Sequence, residues 1–428
     1  MTAMTAPHWL KWPVLFLFFL YPVVTLSVSN GGSGVYILVI LLALAYAWPA
    51  WKTLADDEKR VLIGLLVFVV LSLFSMLNTD NQHEANKQLE RFARFLMIVP
   101  AYMLVRRVNV PLGKVFLAGV VVGALVLGVE AWYQVHIEHR PLADGAYHKI
   151  VFGDTATLLA ALLAAAMITL PMKSWQYAAC IAAILAGLYA SVLSLTRGAW
   201  LLIPVLAVGW LWMFRHRIAR RGWIVIGIIA VFSVIVAVAW APASIKQHMM
   251  RGVQNLETYQ EDPSTPTSWG IRLNLWRDSI TIFTEHPLLG AGLGDLSVAR
   301  QDLAKRGLAN KVYLEGNQAH SIYFQALATR GLVGLLALLV CVLILPLWYF
   351  YRRWPEAVTP WQNFYVLGGV TTILAFAMFG LSEGWLTRNP FLNTYAMFLV
   401  VFMSGTAANF SQPLAVPDEA PPAEAQTG

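Results

Sequence analysis

Three side chains stand where ionic chemistry and apolar sequence meet: His320, Arg197 and Arg272. His320 opens HSIYFQALATRGLVG (320–334), which reads as a helix entering a membrane from its outer face. An imidazole titrates near neutral pH, so it suits proton transfer to or from a hydroxyl. Arg197 lies in SLTRGAW (194–200), a hairpin between two apolar runs. An arginine cannot shed its charge, and near lipid it is costly unless an anion or water meets it. Its planar fork fits phosphate oxygens. Arg272 begins a helix in the one long polar segment, shortly before the turn PLLGAGLGD (287–295), whose Gly290, Gly292 and Gly294 allow close backbone approach. A base with two cations at a membrane face points to group transfer from a phosphate-linked lipid. Each residue also has a plainer reading: an interfacial histidine packed among aromatics, a snorkelling arginine, a surface ion pair.

Weaker candidates surround these. DNQHEANKQLERFAR (80–94) sets Lys87, Arg91 and Arg94 on successive turns of a rim helix, of which Lys87 and Arg94 are candidates for diphosphate binding. A solvated charged face is the competing account. Glu383 and Arg388, beside Trp385 and ahead of the last apolar run, are candidates for acceptor binding. No Cys/His cluster has metal-ligand spacing and no DxD-like motif occurs, so neither metal nor cofactor is expected. Cys180 and Cys341 fall inside apolar runs and read as packing residues rather than a disulfide framework.

What holds these groups in place is a membrane. The 428 residues are 58% hydrophobic and only 12% charged, too apolar for a soluble core. The expected fold is an all-α polytopic membrane protein of about twelve transmembrane helices, since a span needs about 20 apolar residues. The spans lie near 10–29, 34–51, 61–79, 93–108, 113–135, 155–171, 175–195, 198–214, 223–241, 332–351, 361–381 and 391–408. Lys/Arg pairs and clusters at Lys59-Arg60, Arg106-Arg107, Arg215–Arg221 and Arg352-Arg353 put both termini in the cytoplasm. The long polar segment then faces outward. The organisation is thus helices one to nine in 1–241, a loop subdomain in 242–319, helices ten to twelve in 320–410, and a Pro/Ala/acid-rich tail, 411–428, expected to be disordered. Helices are expected within the loop at 244–261, 272–285 and 295–307. The net charge of +7 is accounted for by this topogenic bias, so no nucleic-acid partner is called for; membrane lipids are the surroundings.

His320-Ser321, nine residues to Arg330, then Gly331-Leu332-Val333-Gly334 resembles the histidine motif of the O-antigen ligase, polymerase and oligosaccharyltransferase superfamily. The arginine hairpin at Arg197 and the series Arg272, Trp276, Pro287, Gly290, Gly292, Gly294 agree with its ligase branch, as does the layout of nearly the whole chain. The resemblance implies a GT-C-like, metal-independent, inverting glycosyltransferase of the bacterial inner membrane. Its active site would face the periplasm. Its donor would be O-antigen polysaccharide on undecaprenyl diphosphate, and its acceptor a sugar of lipid A-core. It carries over His320 as the essential histidine and Arg197 and Arg272 as the essential arginines. A protein O-oligosaccharyltransferase or an O-antigen polymerase would use similar donor chemistry. A flippase for polyprenyl-linked glycans is the rival from another class, but it predicts charges spread through mid-membrane, whereas these crowd one face.

Overall fold

The long apolar runs become helices because only a helix satisfies its own backbone in lipid. The computed structural model describes residues 7–215, 267–310 and 318–407, with positions 247 and 314. The expected span 223–241, the expected loop helix 244–261 and the tail lie outside the described residues. Among these residues all regular structure is helical, in the order α1 (Lys11–Val24), α2 (Gly31–Tyr46), α3 (Asp56–Phe74), α4 (Gln82–Leu96), α5 (Ile98–Val108), α6 (Leu112–His136), α7 (Lys149–Thr169), α8 (Ser174–Ser194) and α9 (Arg197–Phe214). After the first gap come α10 (Ser268–Glu285) and α11 (Leu296–Lys305); after the second, α12 (Ile322–Arg353), α13 (Pro360–Ser382) and α14 (Asn389–Thr406).

Seven of the described helices are long and apolar enough to cross a membrane, and α1 and α2 are shorter apolar helices. The reading of 93–108 as a span is corrected: that run belongs to two helices meeting at Met97, and α5 has only 11 residues. At ~1.5 Å per residue α5 falls far short of the hydrocarbon thickness. Its apolarity serves burial, since Ala101, Tyr102, Leu104 and Val105 are sealed inside the protein. The last expected span, α14, is likewise enclosed by other helices along nearly its whole length.

Small residues let the membrane helices approach closely, as expected where burial against lipid gains nothing. Gly128 of α6 meets Ala186 of α8, and Gly187 of α8 lies against the Ala156 carbonyl of α7. Acidic residues at the start of α3 gather the basic ends of two other helices. Asp57 pairs with Arg353 and Glu58 with Arg106 at 3.0 Å, both carboxylates at one end of the bundle. Since α12 runs from Ile322 to Arg353, the His320 end is the opposite one.

The central feature is a break in α12. Gly331 has φ +61°, outside the helical region. Left alone, the break would orphan backbone groups in a buried setting, at a cost of several kcal/mol. The turn at 287–292 meets it from the side. The amides of Ala291 and Gly292 donate to the carbonyls of Ala328 (2.9 Å) and Thr329 (3.3 Å), and the amides of Leu332 and Val333 donate to the carbonyls of Pro287 (2.8 Å) and Leu288 (3.2 Å). Gly290 and Gly331 are required there, because a Cβ on either would run into the backbone of the other segment. Gly334 clears space for the Arg330 side chain. The turn is pinned from its far side by Asp295, whose two carboxylate oxygens accept the amides of Asp80 (2.7 Å) and Asn81 (2.8 Å) ahead of α4. An acid at a helix N-terminus is favoured by the dipole as well as by these bonds.

Candidate active site

His320 sits immediately before α12 with φ +48°, a left-handed backbone that non-glycine residues seldom adopt. Its neighbours hold it there. The Gln325 side chain accepts the Ala319 amide at 2.7 Å, and Trp276 Nε1 of α10 donates to the Ala319 carbonyl at 3.0 Å while its ring stacks on Phe324. Trp276 is one turn beyond Arg272, so α10 fixes the backbone at His320 and carries Arg272 towards the same place.

Across from the imidazole is Glu383, which directly follows α13 and is completely buried. His320 Nδ1 lies 3.7 Å from Glu383 Oε2, and Arg388 Nε donates to Glu383 Oε1 at 2.7 Å. Burial alone would raise the Glu383 carboxyl. The His320 imidazole and the Arg388 guanidinium outweigh it and hold the pKa at about 2. The carboxylate is therefore ionised throughout the neutral range. The turn between Glu383 and Arg388 rests on an aromatic cluster: Trp385 donates from Nε1 to the Phe376 carbonyl at 2.9 Å and packs against Phe95 and Tyr395, which also stack on each other.

Arg197 opens α9. The hairpin before it is locked to the start of α7 by Thr196, whose hydroxyl donates to the Lys149 carbonyl at 3.0 Å, and Leu195 takes φ +55° to make the turn. Gly198 packs on Ser382, next to Glu383. Arg272 is partly buried and lies in the combined field of Arg197, Glu383 and Asp154. Its pKa is lowered first by burial and then by Arg197, with Glu383 and Asp154 opposing. The fold thus brings together residues from four separate stretches: 197, 272, 320 and 383–388.

The remaining sequence candidates fall differently. Lys87 is paired with Glu84 at 2.6 Å and half exposed, and Arg94 is paired with Glu90 at 3.3 Å. Arg91, on the same rim helix, is the cation whose surroundings include Tyr147 and Arg388. The glycine-rich turn has its Gly290, Ala291, Gly292 and Leu293 amides committed to protein acceptors. Its work is to fill the break in α12 rather than to cradle an anion. The buried side of α10 is formed by Asn274, Leu275, Asp278, Ser279 and Ile282. Asp278 binds the fully buried Arg300 of α11 at 2.9 Å.

Two groups near the site had escaped notice. His148 caps α7, accepting the Ile150 amide at 3.3 Å, and its pKa is lowered by burial and then by Arg388, with Glu383 opposing. Asp154, one turn into α7, is 1% exposed. An acid inside the otherwise uncharged run 150–172 was the available signal.

Residues 181–339 match the family model described as O-antigen ligase. Over that stretch the chain is similar to the O-antigen ligase family. The matched stretch contains Arg197, Arg272 and His320 and ends before Glu383, so the O-antigen ligase match covers the cations and the histidine but not the carboxylate that meets them. A Haemophilus influenzae protein described as uncharacterized is 24% identical over 384 residues, covering 87% of this chain and 92% of its own length. Members of the O-antigen ligase family are glycosyltransferase-like membrane enzymes acting on polysaccharide and lipid substrates, and this chain has the helical, multi-pass character to match. Among the described residues no group of His, Cys, Asp and Glu could hold a metal ion.

Proposed function

We propose that the protein is an O-antigen ligase that transfers a finished polysaccharide from undecaprenyl diphosphate to a hydroxyl of lipid A-core at the periplasmic face of the inner membrane, with inversion. The observation that carries this reading is the placement of His320 against a buried, ionised Glu383, with Arg272 and Arg197 in the same electrostatic neighbourhood. Glu383 favours the His320 tautomer with its proton on Nδ1, which leaves Nε2 free to accept the proton of the acceptor hydroxyl. As that oxygen attacks the anomeric carbon, the bond to the diphosphate breaks on the opposite face. The leaving diphosphate is a weak base and needs charge stabilisation, which Arg197 and Arg272 supply from fixed positions.

Cations outnumber carboxylates at the site: Arg197, Arg272 and Arg388 face Glu383 and Asp154. Such an excess suits a dianionic group better than a neutral one. The test is transfer by the purified full chain in nanodiscs, with undecaprenyl-diphosphate-linked O-antigen as donor and lipid A-core as acceptor, in the absence of any ion gradient. Product is expected with wild type and forms far more slowly with His320→Ala. Transfer only to a protein acceptor would reassign the chain to protein glycosylation, and translocation without transfer would make it a carrier.

A further inference from the structure

Two arginines are fully buried among the described residues, Arg300 and Arg330. Arg300 pairs with Asp278 at 2.9 Å, as a buried charge ordinarily must. Arg330 has no carboxylate partner among the described residues. Its Nη1 donates to the Ser72 hydroxyl at 3.2 Å, and its guanidinium carbon lies 5.4 Å from the ring centres of both Phe68 and Phe92. A hydroxyl and two aromatic faces are weak compensation for a cation taken out of water. For stability alone, an apolar side chain of similar length would suit this place better. Arg330 is also the residue at which α12 breaks, directly before Gly331, and Gly334 leaves space for its stem.

The surroundings of the guanidinium lead in two ways to the turn that presents Glu383. Phe68 packs on Phe95 with 5.6 Å between ring centres, and Phe95 stacks at 6.3 Å on Trp385, inside that turn. Arg330 also borders a cavity with room for about one water, lined in part by Gln88 and Phe92 of α4, by Gln325, and by Gly384 and Thr387 of the same turn. Gly384 follows Glu383, and Gln325 accepts the Ala319 amide ahead of His320. The helical segment 322–330 thus begins beside the histidine and ends at the arginine. We propose that Arg330 is a positioning residue: by anchoring this segment to α3 and α4 and backing the 383–388 turn, it sets the approach of His320 to Glu383. It touches neither sugar nor diphosphate. A cation costly to the fold is kept here because the geometry of the pair, rather than stability, depends on it.

The inference rests on the reading of His320 and Glu383 as a working pair, and one experiment separates the two. Steady-state transfer and thermal unfolding are measured on the full chain in nanodiscs for wild type, Arg330→Met, Arg330→Lys, Glu383→Gln and the double variant Arg330→Met/Glu383→Gln. Arg330→Met keeps an unbranched stem and removes the charge, so its Tm should equal or exceed that of wild type. Its kcat should nevertheless fall about 10²-fold, as when reacting groups are displaced by about 1 Å, with KM for donor unchanged. Arg330→Lys keeps a cation over the two rings and should recover most of the loss. The double variant should be little slower than Glu383→Gln alone, because both changes disable one pair. Wild-type transfer by Arg330→Met overturns the proposal. So does a loss of kcat that comes with a lower Tm, which is all a structural arginine would show, and so does full additivity in the double variant. If Glu383→Gln itself transfers at the wild-type rate, the pair reading is wrong and this inference goes with it; a slow Glu383→Gln beside a fast Arg330→Met removes this inference alone.

Discussion

His320 Nδ1 faces Glu383 Oε2 at 3.7 Å, and the two residues come from opposite sides of a helical pair: one precedes α12, the other follows α13. Neither could find the other without the intervening fold, and the exposed partner is the one free to meet a substrate, with a third of its side chain accessible. Replacing His320 with Ala should lower kcat about 10²–10⁴-fold, the usual worth of a general base, while donor affinity stays close to wild type. Glu383→Gln should fall in the same range, and the double variant should be little worse than either single one, because the pair acts as a unit. Single-turnover transfer assays on the three variants check this. Full additivity would separate the two roles.

The arginines make a different prediction. Arg197→Ala or Arg272→Ala should cost on the order of 10²–10³-fold in kcat, as removal of a preorganised charge from a leaving group does. The lysine variants should recover only part of this, since a point charge lacks the guanidinium fork. If either lysine variant ligates at the wild-type rate, charge alone suffices and the bidentate account fails.

The break in α12 gives a stability test that needs no substrate. Gly331→Ala places a Cβ against the Leu288 carbonyl in a backbone with φ +61°, and should destabilise the fold by about 3 kcal/mol or more. Gly307 also has positive φ, at +75°, yet open space surrounds it. Gly307→Ala should therefore cost only about 1 kcal/mol. Thermal unfolding in detergent ranks the two, and equal losses would mean that backbone conformation matters while the interlock with the 287–292 turn does not.

The His320 motif was legible in the sequence because a short-range pattern encodes it: the histidine, the helix and the two glycines lie within one segment. Arg197 was legible because a charge between two apolar runs has few benign explanations. Glu383 was seen only as a weak acceptor candidate, since its importance lies in a contact 63 positions away in the chain. Asp154 was missed although an acid in a run of Ala and Leu is itself a warning. The glycine-rich turn was misjudged for a related reason. Its glycines signal close approach to something, and sequence cannot say whether that is a ligand or another backbone. Among the helices, α5 misled because a short apolar run reads alike whether it faces lipid or fills a core.

The depressed Glu383 carboxyl yields a pH prediction whose sign is fixed by linkage. Its pKa falls from the ordinary 4.5 to about 2 in the fold, so its ionised form adds stability above pH 4.5, and that contribution is lost as the pH drops from 4.5 towards 2. The difference corresponds to about 3 kcal/mol at neutral pH. Glu383→Gln removes the charge at every pH. The Tm gap between wild type and this variant should thus be widest near neutrality and close steadily below pH 4.5, while the acid limb of transfer activity above pH 5 should not involve Glu383. A gap that persists unchanged at low pH would mean that shape rather than charge makes Glu383 necessary, and the orienting role assigned to it beside His320 would have to be abandoned.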